Sequence, residues 1–178
     1  ERSSLLQQGV DRWDKAFNHR QLLTLLTYAE VIGEVKEKLT IEAEPYKVSA
    51  MISYLGLIVD RCADMNSRLS RWRGDPPVPA GASSSHSLNL MWNYPETAPK
   101  KLWDWCSTTV SSVYSDLAKM LGVTSSDSDL LSINADVGNS VKISSESADN
   151  LFNCPDSSVH IVVTDPPYYA TIQYSELS

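Results

Sequence analysis

Two apolar stripes at helical spacing constrain this chain more than any other feature. Leu22, Leu25, Leu26, Ala29, Ile32 and Val35 recur with a helical period that runs to about Leu39. Val48, Met51, Ile52, Leu55, Val59, Cys62, Met65 and Leu69 form a second stripe, ending near Trp72. Such a stripe stabilises a helix by covering a partner, so the pair predicts helices packed on one another. Asn18 with Gln21 three residues on offers a cap pair for the first helix. Glu44-Pro45 opens the second, because proline tolerates a first turn.

The other face of the second helix is predicted to carry Asp60, Arg61, Asp64, Arg68, Arg71 and Arg73. Its arginines have two readings: contact with phosphate, or a solvated face laced with ion pairs. Residues 74–85 are rich in Pro, Gly, Ala and Ser and read as a loop or mobile linker. A short apolar piece at 88–92 has no assignable type. A third helix is expected from about Lys100 to Leu121, stopped by Gly122. Its Trp103, Trp105 and Tyr114 suit core packing first and base stacking second.

Past Val123 the character changes. Ser, Asp and Asn dominate, and short β-like runs at 140–144 and 159–164 replace helical periodicity. Six carboxylates (Asp127, Asp129, Asp136, Glu146, Asp149 and Asp156) face only Lys142 there. The organisation expected is a helical module over residues 1–123, with a flexible loop at 74–87, followed by part of an α/β domain over 124–178. The net charge of −7 repels duplex DNA, so any phosphate-binding face must be local. Three unpatterned cysteines, Cys62, Cys106 and Cys154, suit reduced thiols and a cytoplasmic setting better than disulfides or zinc. His19, His86 and His160 have no partner at metal-ligand spacing, and no apolar run approaches membrane-spanning length.

The chemistry concentrates in one tetrapeptide. Val159-His160-Ile161-Val162-Val163-Thr164 is an apolar, β-branched run that predicts a strand buried in a parallel sheet, and Asp165-Pro166-Pro167-Tyr168 follows directly. In open α/β sheets, ligands sit beyond the carboxyl ends of the strands. An exocyclic amine on a heteroaromatic ring is a poor nucleophile, because its lone pair is delocalised into the ring. Two acceptors on its two N–H bonds favour a tetrahedral nitrogen and aim the lone pair at an electrophile. The Asp165 carboxylate supplies one acceptor. The Pro166 carbonyl supplies the other, held rigid by proline geometry. Tyr168 offers a ring to stack on a base flipped from its duplex. The bland alternative is a strand-end turn, for which Asp-Pro-Pro is ordinary chemistry.

The tetrapeptide resembles the catalytic motif of amino-methyltransferases that use S-adenosylmethionine. Together with Ser147-Ala148-Asp149-Asn150-Leu151, Val162-Val163-Thr164 and Tyr174-Ser175-Glu176-Leu177-Ser178, it is similar to one branch. That branch is the adenine-specific DNA methylases of bacteria and archaea that often carry a zinc ribbon and an uncharacterised N-terminal domain. Phe17-Asn18-His19-Arg20-Gln21-Leu22-Leu23, and Asp60-Arg61 to Arg71-Trp72, resemble the helical region those proteins place before the motif. The resemblance implies a Rossmann-like methyltransferase sheet, of which this chain carries only the start. It also implies that Asp165, Pro166, Pro167 and Tyr168 hold the target amine. The resemblance places Asp165 beside the S-adenosylmethionine as well. Asp149 is the nearest match to the acidic residue that contacts the cofactor's adenine, though a solvent-facing turn residue fits it equally.

The seven glycines never fall within two or three residues of one another, so the glycine-rich cofactor loop of these enzymes is missing. The expectation is therefore a fragment of a DNA adenine methyltransferase, inactive alone and meeting DNA through the full-length protein. The rivals are an amino-methyltransferase acting on RNA guanine or protein glutamine, and a non-catalytic helical docking module with partners in a phage-defence assembly.

Overall fold

A computed structural model describes residues 4–75, 77–84, 88–120, 147, 149, 151 and 154–166. The chain divides into two compact units, one built on Glu1–Ser115 and the other within Asp116–Tyr168. The described residues are mostly helical, with one small two-stranded antiparallel sheet.

The first unit opens with a helical turn α1 (Ser4–Gln7) and a 3₁₀ turn at Trp13–Ala16. Helix α2 then spans His19–Glu42. Its start is the predicted one. The Asn18 side chain accepts from the Gln21 backbone N–H at 2.9 Å, and the Gln21 side chain accepts from the Asn18 N–H at 2.9 Å. This reciprocal box satisfies two of the donors a helix N-terminus leaves open. The Gln21 amide also donates to the Pro95 carbonyl at 3.0 Å, which explains how a glutamine can be fully buried.

Helix α3 (Pro45–Met65) packs its apolar stripe on α2: Ile58, Cys62 and Met65 share a core with Leu25. Helix α4 (Pro99–Met120) adds Leu102 and Cys106 to the same core. Leu102 and Cys62 are 0% exposed, and full burial of a leucine is worth about 1.5–3 kcal/mol. Two latches set where α4 begins. The Tyr28 hydroxyl donates to the Pro99 carbonyl at 2.5 Å, and the Thr97 N–H donates to buried Asn66 at 2.9 Å. Burial pushes the Tyr28 phenol up to about 12. A second core joins Leu5, Val10, Ala16, Leu69 and Leu88.

Four expectations need correction. The second helix stops at Met65, short of Trp72. Ser67 and Ser70 hydrogen-bond each other there, and the Ser70 hydroxyl donates to the Asp64 carbonyl, so local side-chain bonds replace the helical ladder. Leu69 still lies inside, but in the second core. In α2 the covered face is narrower than the stripe, because Leu26 and Ala29 are exposed.

Within the expected loop at 74–87, the described residues 77–84 hold structure, and residues 76 and 85–87 lie outside the described ones. Strands β1 (Arg71–Trp72) and β2 (Pro79–Ala80) pair antiparallel, Arg71 opposite Ala80 and Trp72 opposite Pro79. Asp64 then fastens the far side of this hairpin: its carboxylate accepts from the Ser83 N–H at 2.9 Å and the Ser83 hydroxyl at 2.7 Å. Gly81 is required beside it, since a β-carbon there would collide with that carboxylate.

The expected solvated face also divides. Arg61 does pair with Asp64 at 3.0 Å. Arg68 instead donates to the Lys15 carbonyl at 2.8 Å, while its backbone bridges Ala16 and Met91. The 88–92 piece is thereby tied in as irregular chain, with the Leu90 N–H on the Gln8 side chain.

Candidate functional site

The expected strand at residues 159–164 has no regular secondary structure. Val159, Ile161, Val162 and Val163 are exposed, Val163 at 91%. The physical reason is pairing. A buried-type strand is held by a ladder on its edges and cover on its faces, and among the described residues of this unit there is no second strand. The segment before it is a compact turn. The Ser158 N–H and hydroxyl both donate to the Pro155 carbonyl, at 3.2 and 2.6 Å, and Ser157 takes a left-handed φ of 60°.

Asp165 and Pro166 lie in this exposed, irregular stretch. Pro167 and Tyr168 lie outside the described residues. Asp149 is an exposed turn residue. The described residues thus present the first two members of the tetrapeptide to solvent. Among the described residues no cluster of three or more His, Cys, Asp or Glu has the arrangement of a metal site. No helix there is long and apolar enough to cross a membrane.

The cysteines separate by environment. Cys62 of α3 and Cys106 of α4 are buried in one core, and Cys154 is exposed. The neighbouring Cys106 thiol, with burial, pushes the Cys62 thiol up, so it stays protonated and unreactive.

The first unit also holds a groove of ≈ 700 Å³, walled by Trp72, Pro77, Val78 and Pro79 of the hairpin and by Lys101, Asp104, Trp105 and Thr108 of α4. Glu96, Thr97 and Ala98 form its floor. The three tryptophans of this region part company: Trp103 packs on Tyr28 with ring centroids 5.0 Å apart, whereas Trp72 and Trp105 stay 44% and 36% exposed. Periodicity assigned Trp105 chiefly to the core. The signal that could have found the groove is Lys101 one helical turn before Trp105, on the helix face away from Trp103.

No family model, curated protein or solved structure matches the chain.

Proposed function

We propose that the chain is part of an S-adenosylmethionine-dependent methyltransferase that modifies the 6-amino group of adenine in DNA. The observation that carries this reading is the tetrapeptide Asp165-Pro166-Pro167-Tyr168, directly behind an apolar β-branched run. In this reading residues 159–164 become a strand of a Rossmann-like sheet when partner strands pair with them. Four exposed apolar side chains in one short segment support it, since a surface of that kind is normally covered. Asp165 and the Pro166 carbonyl take the two N–H bonds of the target amine, Tyr168 stacks on the flipped base, and Asp149 faces the donor's adenine. Related tetrapeptides serve RNA guanine and protein glutamine, which are the alternative substrates.

The test is transfer of labelled methyl from S-adenosylmethionine to DNA by the full-length protein, with Asp165→Ala beside it. The carboxylate matters most as the amine attacks, so its loss should suppress turnover while DNA binding persists. Near-normal turnover in Asp165→Ala would remove the assigned role. Methylation of RNA or protein instead of DNA would move the chain to the alternative substrates.

The second reading is a helical docking module without catalysis, in a phage-defence assembly. It is favoured by one observation: the well-packed part of the described chain is the helical unit, whereas Asp165 and Pro166 stand in open, irregular chain. Failure of the full-length protein to bind S-adenosylmethionine would favour it.

A further inference from the structure

We propose that the groove between the β1–β2 hairpin and α4 binds single-stranded nucleic acid, with bases stacked on the indoles of Trp72 and Trp105. The inference rests on the helical unit alone and does not depend on methyl transfer.

Helix geometry sets one wall. Lys101, Asp104, Trp105 and Thr108 follow the i, i+3, i+4, i+7 spacing of a single helical face, and all four line the groove. Trp103, two residues before Trp105, is turned by ~200° and faces the core, so α4 sends one indole inward and one outward. The opposite wall is Trp72 with Pro77, Val78 and Pro79, an apolar surface stiffened by its prolines. Large indoles are usually consumed by a core. Here two of them face one cavity whose volume falls within the range of small-ligand sites.

The charges decide the class of ligand. Both carboxylates lining the groove are already neutralised. Asp104 is paired with Lys100 at 2.5 Å, and Glu96 with Arg20 at 2.5 Å and Asn18 at 2.6 Å. The Arg20 contact holds the Glu96 carboxyl below its ordinary range, so it stays ionised and committed. Lys101, the cation that lines the groove, has no ion pair among the described residues. Two flat π surfaces beside an unpaired cation are what a strand with splayed bases needs: stacking for the rings and counter-charge for a phosphate. A net charge of −7 disfavours long duplex contacts, whereas a strand seated in one groove meets only this local surface.

The experiment uses the 178-residue chain and a fluorescein-labelled oligothymidylate about a dozen nucleotides long, within the range of known single-strand sites. Fluorescence anisotropy should show binding that weakens as salt rises, with quenching of tryptophan emission. Trp105→Ala and Trp72→Ala should each weaken affinity by roughly 5- to 150-fold, and Trp105→Phe should recover part of the loss. Lys101→Glu should weaken binding and flatten its salt dependence. Trp92→Ala is the control, because Trp92 is fully exposed but lines a different concavity. It should leave affinity within about twofold.

Absence of binding by the wild-type chain overturns the proposal. So does unchanged affinity in Trp105→Ala, shown folded by its circular dichroism, or an equal loss in Trp92→Ala. Equal affinity for the matching duplex, or for thymidine monophosphate alone, would also overturn it, in favour of a general anion surface or a free-nucleotide pocket.

Discussion

Leu102 and Val163 are both aliphatic residues in segments with clear apolar patterns, and the structure treats them oppositely. Leu102 is sealed among α2, α3 and α4, and Val163 is 91% exposed. The difference is the supply of partners. A helix closes its backbone hydrogen bonds within itself and needs only a neighbour for its stripe, and α2, α3 and α4 provide neighbours for one another. A strand must borrow its hydrogen bonds from another strand. An apolar β-run without a ladder keeps its pattern and loses its structure.

The sharpest test of this contrast is a pair of truncations. Leu102→Ala should destabilise the chain by about 2–5 kcal/mol, because it empties a closed site. Val163→Ser should stay within about 0.5 kcal/mol, because no cavity forms at a solvated side chain. Urea denaturation of both variants measures this. A large loss in Val163→Ser would show that the segment is covered in solution.

Next in size is Gly81→Ala. The new methyl meets a carboxylate that Ser83 and Arg61 hold in place, so a loss of about 1–3 kcal/mol is expected. Thermal unfolding reads it, and an unchanged midpoint would mean the hairpin gives way freely, as a linker would.

Asn18→Ala should cost about 0.5–2 kcal/mol by opening the capping box of α2. Asn18→Ser keeps a cap acceptor without adding charge beside Glu96 and should recover most of that loss. Equal losses in the two variants would shift the role of Asn18 to its donated bond with Glu96.

The smallest effect is a pH dependence. Glu96 is held below its ordinary range by Arg20, so its contribution is complete above the unfolded value of about 4.3 and is lost as pH falls through the lower folded value. Glu96→Gln should therefore flatten the acid limb of the stability curve and change little near neutrality. A steeper acid limb in Glu96→Gln would assign the wrong sign to this pair.

The helices were largely legible because their signals are local. Asn18 and Gln21 announced the start of α2 at the right residue, and Pro45 did the same for α3. The end of α3 was not legible. Leu69 continues the stripe in register, yet Ser67 and Ser70 break the helix and send Leu69 to another core. The hairpin was missed because composition reports backbone freedom and is blind to Asp64, the distant residue that removes it. At the tetrapeptide the sequence gives residue types and order, and Asp165 and Pro166 lie open. The partners that would build a pocket around them are not neighbours in sequence, so no local pattern can carry them.

Asp64 has a consequence for the groove. A two-residue ladder is too short to fix its own position, and the hairpin wall carrying Trp72 and Pro79 consists of little more. Its placement is inherited from α3, through one carboxylate that grips Ser83 shortly after β2 ends. The width of the opening is therefore governed from outside it, much as a door's gap is set at its hinge. A change on α3 that shifts Asp64 moves the hairpin wall, and with it the spacing of the two indoles, without touching a residue that lines the cleft.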